Sequence, residues 1–134
     1  MGVVYHANYL IWFEIGRTEF CRARGFAYKD MEEKDGAYLV VVESYCRYKS
    51  PAQYDDELTI KTRVTELRKR SLRFGYEIVR KSDNVLLAEG ETTHVVTDTN
   101  SRVCSFPANY REMLSSTQTV VNDDNSFPPD YAPE

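Results

Sequence analysis

The sequence predicts one α+β domain in which a buried helix packs on one face of an antiparallel sheet. Three observations lead to this prediction. Apolar residues recur with a helical period over residues 8–24, later stretches alternate between apolar and polar residues, and the links between those stretches are short. Short links join antiparallel neighbours, so the strands should follow the helix as a meander.

Length and composition limit the class of protein. The 134 residues suit a single domain with a hydrophobic core, and 42% hydrophobic residues exclude a disordered chain. The net charge of −4 argues against nucleic-acid binding, which needs a basic face. No apolar run approaches the ~20 residues that cross a bilayer. No signal peptide is visible either, so we expect a cytoplasmic protein without a membrane span.

The three cysteines do not indicate a metal site. Cys21, Cys46 and Cys104 are odd in number, widely spaced and without metal-ligand spacing. We interpret them as reduced thiols that fill apolar positions. The sequence therefore predicts no metal and no other cofactor.

The helix is predicted over residues 8–24. Asn8 suits its N-cap and Gly25 its C-terminal stop. The apolar positions follow the spacing i, i+3, i+4, i+7 and i+11. They are Tyr9, Trp12, Phe13, Gly16 and Phe20. The first two turns are apolar nearly all round, which indicates that protein covers this helix on most sides.

Four strands are predicted after the helix, over residues 39–48, 58–67, 71–80 and 85–98. The first opens with a β-branched block that we expect to be buried. A short helix over residues 107–114 closes the domain, which spans residues 1–115. Residues 116–134 carry a polar Asn-Asp-Asp-Asn run and a Pro pair, and we expect them to be a disordered tail.

The segment Gly-Val-Val-Tyr-His-Ala-Asn-Tyr at residues 2–9 closely resembles the active-site segment of the 4-hydroxybenzoyl-CoA thioesterase-like family. That family includes the short-chain acyl-CoA thioesterases associated with the Tol-Pal system. Weaker matches lie at residues 48–56 and 68–74, so the resemblance spans about residues 1–115. It implies a hotdog fold, in which a curved antiparallel sheet wraps a long central helix. It also implies hydrolysis of short-chain or aromatic acyl-CoA to the free acid and CoA.

The chemistry of this segment suits a thioesterase. Thioester hydrolysis builds negative charge on the carbonyl oxygen, and free backbone N–H groups at a helix N-terminus can hold that charge. By resemblance, the N–H groups around Tyr5 and His6 polarise the carbonyl, and His6 also orients water or meets the thiolate. Gly2 allows a close approach of the substrate, and Val4 and Asn8 complete the predicted substrate contacts. A lone His at a helix start is usually an ordinary polar residue, but the surrounding motif favours the catalytic role.

The chain departs from the family pattern at its start. Family members carry an Asp two residues before the position of Met1, where it acts as nucleophile or general base. Most of the first strand of the hotdog fold is also missing from this chain. Tyr5, His6, Asn8 and Glu14 are all intact, so we expect the natural protein to begin upstream rather than to have lost its activity.

Glu14 is the second candidate base. Its neighbours Leu10, Ile11 and Phe13 are apolar, and a carboxylate in such surroundings has a raised pKa. The alternative is an i, i+3 ion pair with Arg17 that has only a structural role. The sequence leaves both interpretations open.

A basic turn, residues 68–71, joins the second and third predicted strands. Arg68, Lys69, Arg70 and Ser71 resemble the run that contacts the nucleotide of CoA in the hydroxybenzoyl-CoA enzymes. Clustered cations suit the phosphates of CoA. The alternative is an ordinary solvated turn.

Two further functions remain open at this stage. A hotdog module that binds acyl-CoA or a protein without catalysis fits the absent Asp. A hotdog hydratase or dehydratase fits less well, because its Gly-His-Phe-Pro motif is absent. In each case we expect a homodimer or tetramer with its sites at the subunit interface, because one sheet covers only one side of so apolar a helix.

Overall fold

The structure is a computed structural model that describes residues 8–53, 55–115 and 118–124. Its helices and strands follow in one order along the chain. They are α1 (Asn8–Ala23), α2 (Tyr28–Asp35), β1 (Tyr38–Tyr48), β2 (Leu58–Leu67), β3 (Ser71–Arg80), β4 (Leu86–Thr97), α3 (Ala108–Leu114) and β5 (Val120–Asp124). The strands form one antiparallel sheet in the order β1-β4-β3-β2-β5. The predicted helix on an antiparallel sheet is therefore confirmed.

The predicted stripe of α1 faces the sheet and forms the centre of the core. Phe13 stacks on Tyr76 with ring centroids 4.4 Å apart. Gly16 permits the close approach of helix and sheet, because a Cβ there would lie 2.4 Å from Thr62 Oγ1. Gly25 ends the helix with a φ of 103°, in the left-handed region that favours glycine. The periodicity of α1 thus predicted both its position and its buried side.

The sequence analysis missed α2. Met31 is its one buried residue, so no apolar stripe marked it. The available signals were polar: Lys29–Glu33 and Asp30–Lys34 are i, i+4 ion pairs. Gly36 then ends the helix with a φ of 61°.

The β-branched block of β1 is exposed, contrary to the expectation of burial. Val40, Val41 and Val42 lie in an edge strand, and Val42 is 55% exposed. One edge of β1 pairs with β4, and no strand among the described residues covers the other. Burial of this block would require a neighbour from outside the described residues.

The prediction of a disordered tail is wrong for residues 120–124, which form β5 beside β2. Polar composition suggested disorder, but the polar groups have partners here. Asp123 accepts hydrogen bonds from Thr59 and Lys81, both at 3.0 Å. Val120 packs on the edge of the core.

Candidate active site

The residues of the predicted catalytic segment divide between described and undescribed parts of the chain. Gly2, Val4, Tyr5 and His6 lie outside the described residues, and their roles stay predictions. Asn8 is buried and is the first residue of α1. The described part of the site therefore begins at the first turn of this helix.

Tyr9 joins the start of α1 to the loop that follows β1. Its hydroxyl accepts a hydrogen bond from the Ala52 N–H at 3.3 Å. Its ring meets Trp12 and Tyr48 edge-on, each with centroids 4.9 Å apart. Burial raises the pKa of Tyr9, so its hydroxyl stays protonated at neutral pH. The fold thus brings Tyr9 together with Tyr48 and Ala52, which belong to two different segments that carry the family resemblance.

Glu14 does not lie in the apolar surroundings that the sequence suggested. Its side chain is exposed, and its neighbours Leu10 and Ile11 are 43% and 37% exposed. In the described part of the chain, no ion pair joins Glu14 to Arg17. Arg17 instead acts electrostatically on the buried Tyr76. The single chain shows Glu14 as a solvated carboxylate, and its role as a base stays a prediction.

The basic turn is present, but its first cation is neutralised. Arg68 forms an ion pair with Glu66, whose other oxygen lies 3.3 Å from the guanidinium of Arg73. Arg73 also donates to Thr93 at 3.2 Å. These side chains line a cleft of about 170 Å³ together with Ser71 and Leu72. An anion at this cleft would compete with Glu66 for both guanidinium groups.

Lys69 and Arg70 remain available to an anionic ligand. Both side chains are exposed, and neither forms an ion pair with another described residue. Their backbone carbonyls are fixed, because they accept hydrogen bonds from Phe106 N–H at 3.0 Å and Val96 N–H at 3.1 Å. The turn is therefore held by its backbone while two cationic side chains stay in solvent.

The helix start and the basic turn lie at opposite ends of the sheet. Tyr9 lies beside Tyr48 at one end, and Phe20 meets Phe74 towards the other. The ten residues of β2 separate the two ends by roughly 30 Å at about 3.3 Å per residue. One chain therefore does not bring its two predicted substrate-binding regions together.

The core also holds three polar side chains linked by hydrogen bonds, called here the polar chain, which the sequence analysis did not identify. The Tyr76 hydroxyl, Thr92 Oγ1 and His94 Nε2 are linked by contacts of 2.5 and 2.8 Å. Burial and, to a smaller extent, the charge of Arg17 together lower the pKa of His94 to about 3. The ring is therefore neutral at physiological pH. The alternation of β4 already places His94 on the inward face, which was the available signal.

The described residues contain no group of three or more His, Cys, Asp or Glu side chains that could hold a metal ion. None of the described helices is both long and apolar enough to span a membrane.

Comparison with known proteins identifies the family. The thioesterase-like superfamily matches residues 1–116. The acyl-CoA thioester hydrolase YbgC of Escherichia coli is 39% identical over 97 residues, which cover 72% of this chain and 71% of that protein. The acyl-CoA thioesterase YbgC of Haemophilus influenzae is 34% identical over 94 residues, covering 70% and 67%. The DHNA-CoA thioesterase of Staphylococcus aureus superposes with a TM-score of 0.80 at 28% identity, over 86% of this chain and 78% of that one.

These similarities define the class of protein. The chain belongs to the thioesterase-like superfamily. It has the hotdog fold of the solved thioesterase, so the resemblance and the fold drawn from the sequence are both confirmed.

Proposed function

We infer that this chain is an acyl-CoA thioester hydrolase. Water attacks the thioester carbonyl, the carbon–sulfur bond breaks, and the products are a carboxylic acid and CoA. The observation that carries this inference is the Gly2–Tyr9 segment, which leads directly into the start of α1 inside a family match over residues 1–116. We propose short-chain or aromatic acyl-CoA as the substrate class.

The proposed roles follow from the charge that develops during hydrolysis. The N–H groups around Tyr5 and His6 stabilise the oxyanion, because donors fixed in position cost no reorganisation when the charge appears. His6 orients the attacking water. Glu14 is the candidate base within this chain, and its exposure leaves it accessible to substrate and water. Gly2, Val4 and Asn8 contact the acyl thioester.

We propose a homodimer or a larger assembly built on it, in which two subunits share each site. The apolar side chains left exposed on α1 and β1 support a subunit contact there. They are Leu10, Ile11, Val40, Val41 and Val42. Antiparallel pairing of β1 with the same strand of a second copy would reverse the partner's sheet. The partner's basic turn would then lie at the same end as the start of α1.

The basic turn would bind the nucleotide of CoA across this interface. Lys69 and Arg70 offer cations that pair with no other described residue. Arg68 joins them when a phosphate displaces Glu66, and Ser71 adds a hydroxyl. This arrangement resolves the separation of the two regions in one chain, because each comes from a different subunit.

Thiol release from a panel of acyl-CoA esters tests the function. We expect a short-chain or aromatic ester to release free CoA well above the uncatalysed rate. The matching pantetheine thioester lacks the nucleotide, so it should show a higher KM with a similar kcat. Folded protein that releases no thiol from any ester would contradict the proposal.

A further inference from the structure

We propose that Arg80 and Tyr9 are positioning residues for hydrolysis. They hold the 50s loop, described at residues 50–53 and 55–56, against the first turn of α1, which directly follows the predicted catalytic segment. The inference rests on the proposed function and extends it to residues far from the predicted catalytic segment in the sequence.

Arg80 fastens both ends of the 50s loop with one guanidinium group. Its Nε lies 3.1 Å from Asp56 Oδ2, and its Nη2 donates to the Pro51 carbonyl at 3.0 Å. The Arg80 and Asp56 side chains are only 20% and 16% exposed, so solvent screens this pair less than an ordinary surface pair. The planar fork of an arginine suits two acceptors held in fixed directions.

A third contact of Arg80 points away from the loop. Its Nη1 donates to Asp83 at 2.9 Å, in the turn between β3 and β4. Asp83 is more exposed than Asp56. The same guanidinium therefore has one carboxylate partner within the 50s loop and one outside it.

Backbone N–H groups in and next to the 50s loop also form hydrogen bonds that hold it. Asp56 Oδ2 accepts the Gln53 N–H at 2.7 Å, and the Lys49 and Ser50 N–H groups both donate to the Leu87 carbonyl. The Ala52 N–H donates to the Tyr9 hydroxyl, and Ala52 is fully buried. Contacts from the sheet, from the loop itself and from the helix thus hold the described residues of the loop.

The connection to catalysis runs through Tyr9. It lies three residues after His6 and directly after Asn8, so a shift of the loop acts on the first turn of α1. Oxyanion stabilisation requires donors held in place before the reaction, and a misplacement of about 1 Å can cost on the order of 100-fold in rate. Loosening the loop should therefore lower kcat. KM for the nucleotide part should change little, because the basic turn proposed to bind it comes from the other subunit and makes no described contact with Arg80 or Tyr9.

The experiment compares Asp56→Asn with the matched control Asp83→Asn. Each removes the charge of one Arg80 partner and keeps the shape of the side chain. We expect Asp56→Asn to lower kcat about tenfold with KM within about twofold, as judged from the rate sensitivity to misplacement. Asp83→Asn should leave both constants within about twofold. Equal losses of kcat in the two variants would overturn the inference, because they would indicate general destabilisation.

A second variant, Tyr9→Phe, removes only the hydroxyl and retains the ring contacts. We expect a loss of kcat similar to that of Asp56→Asn, and faster hydrogen exchange of the Ala52 amide in both variants. Unchanged exchange in both would overturn the inference whatever the activity. Active wild-type protein whose Asp56→Asn and Tyr9→Phe variants keep its kcat would overturn this inference alone. Folded wild-type protein without thioesterase activity would instead overturn the proposed function.

Discussion

Both sides of α1 carry apolar residues, but the described part of the chain covers only the side that faces the sheet. The sheet-facing side is packed so closely that Gly16 and Gly90 leave no room for a Cβ. On the outward side, Leu10 and Ile11 remain exposed, as do the valines of the edge strand β1. The difference separates two sources of stability. The inner side stabilises the folded chain, whereas the outer side would stabilise the dimer proposed above.

The largest expected effect comes from adding a methyl group where α1 packs closely on the sheet. A Cβ at Gly90 would lie 2.2 Å from the Tyr45 carbonyl oxygen and 2.7 Å from the Phe13 ring. The carbonyl belongs to a paired strand and has little freedom to move. We therefore expect Gly90→Ala to lower the free energy of unfolding by about 3 kcal/mol or more, measured by denaturant unfolding. A loss below about 1 kcal/mol would show that helix and sheet are less closely packed than this geometry implies.

A charge placed on the exposed apolar surface of β1 should weaken association of the subunits and leave folding of the single chain intact. Val42 is 55% exposed on β1, and Val103, outside β1 and α1, is 57% exposed. We expect Val42→Glu to weaken the proposed dimer on the order of 100-fold, since the lost burial of about 1.5 kcal/mol would occur once in each subunit. Sedimentation over a dilution series measures this change. The control Val103→Glu should keep the wild-type oligomer, and a folded wild-type monomer at all concentrations would contradict the subunit contact.

The same contrast explains how far the sequence could predict the structure. The period of α1 and the alternation of β2 and β3 were sufficient, because burial against a sheet imposes a repeat on the residues themselves. α2 and β5 were missed because the features that mark them are i, i+4 charges, a glycine stop and strand pairing, which leave no apolar period. The distance between the helix start and the basic turn depends on how α1 lies along the sheet, and no local pattern encodes it. The exposed valines of β1 show the remaining limit: their β-branched pattern predicted burial, but it does not tell whether the rest of the chain supplies the cover.

The smallest expected effect tests the polar chain on the inner side. His94 is 1% exposed and has a pKa of about 3 in the folded chain, against an ordinary value of 6.5. Below pH 6.5, His94 binds a proton in the unfolded chain but stays neutral in the folded chain. The stabilising effect of the neutral ring is thus complete above pH 6.5 and decreases as the pH falls towards 3. The loss is about 1.4 kcal/mol per pH unit for one proton, or roughly 2 kcal/mol between pH 6.5 and 5.

Comparison of the wild type with His94→Gln isolates this contribution. Glutamine retains a polar group that can reach Thr92 but does not titrate. Asp83 and Asp123 have pKa values below their usual 3.8, so they act at more acidic pH and add little slope in this window. Denaturant unfolding at pH 7, 6 and 5 should therefore show a steep decrease for the wild type and a shallow one for His94→Gln. Equal slopes would mean that His94 takes up its proton in the folded chain. The polar chain would then be open to water, and the inner side of α1 would be less completely closed than its aromatic packing indicates.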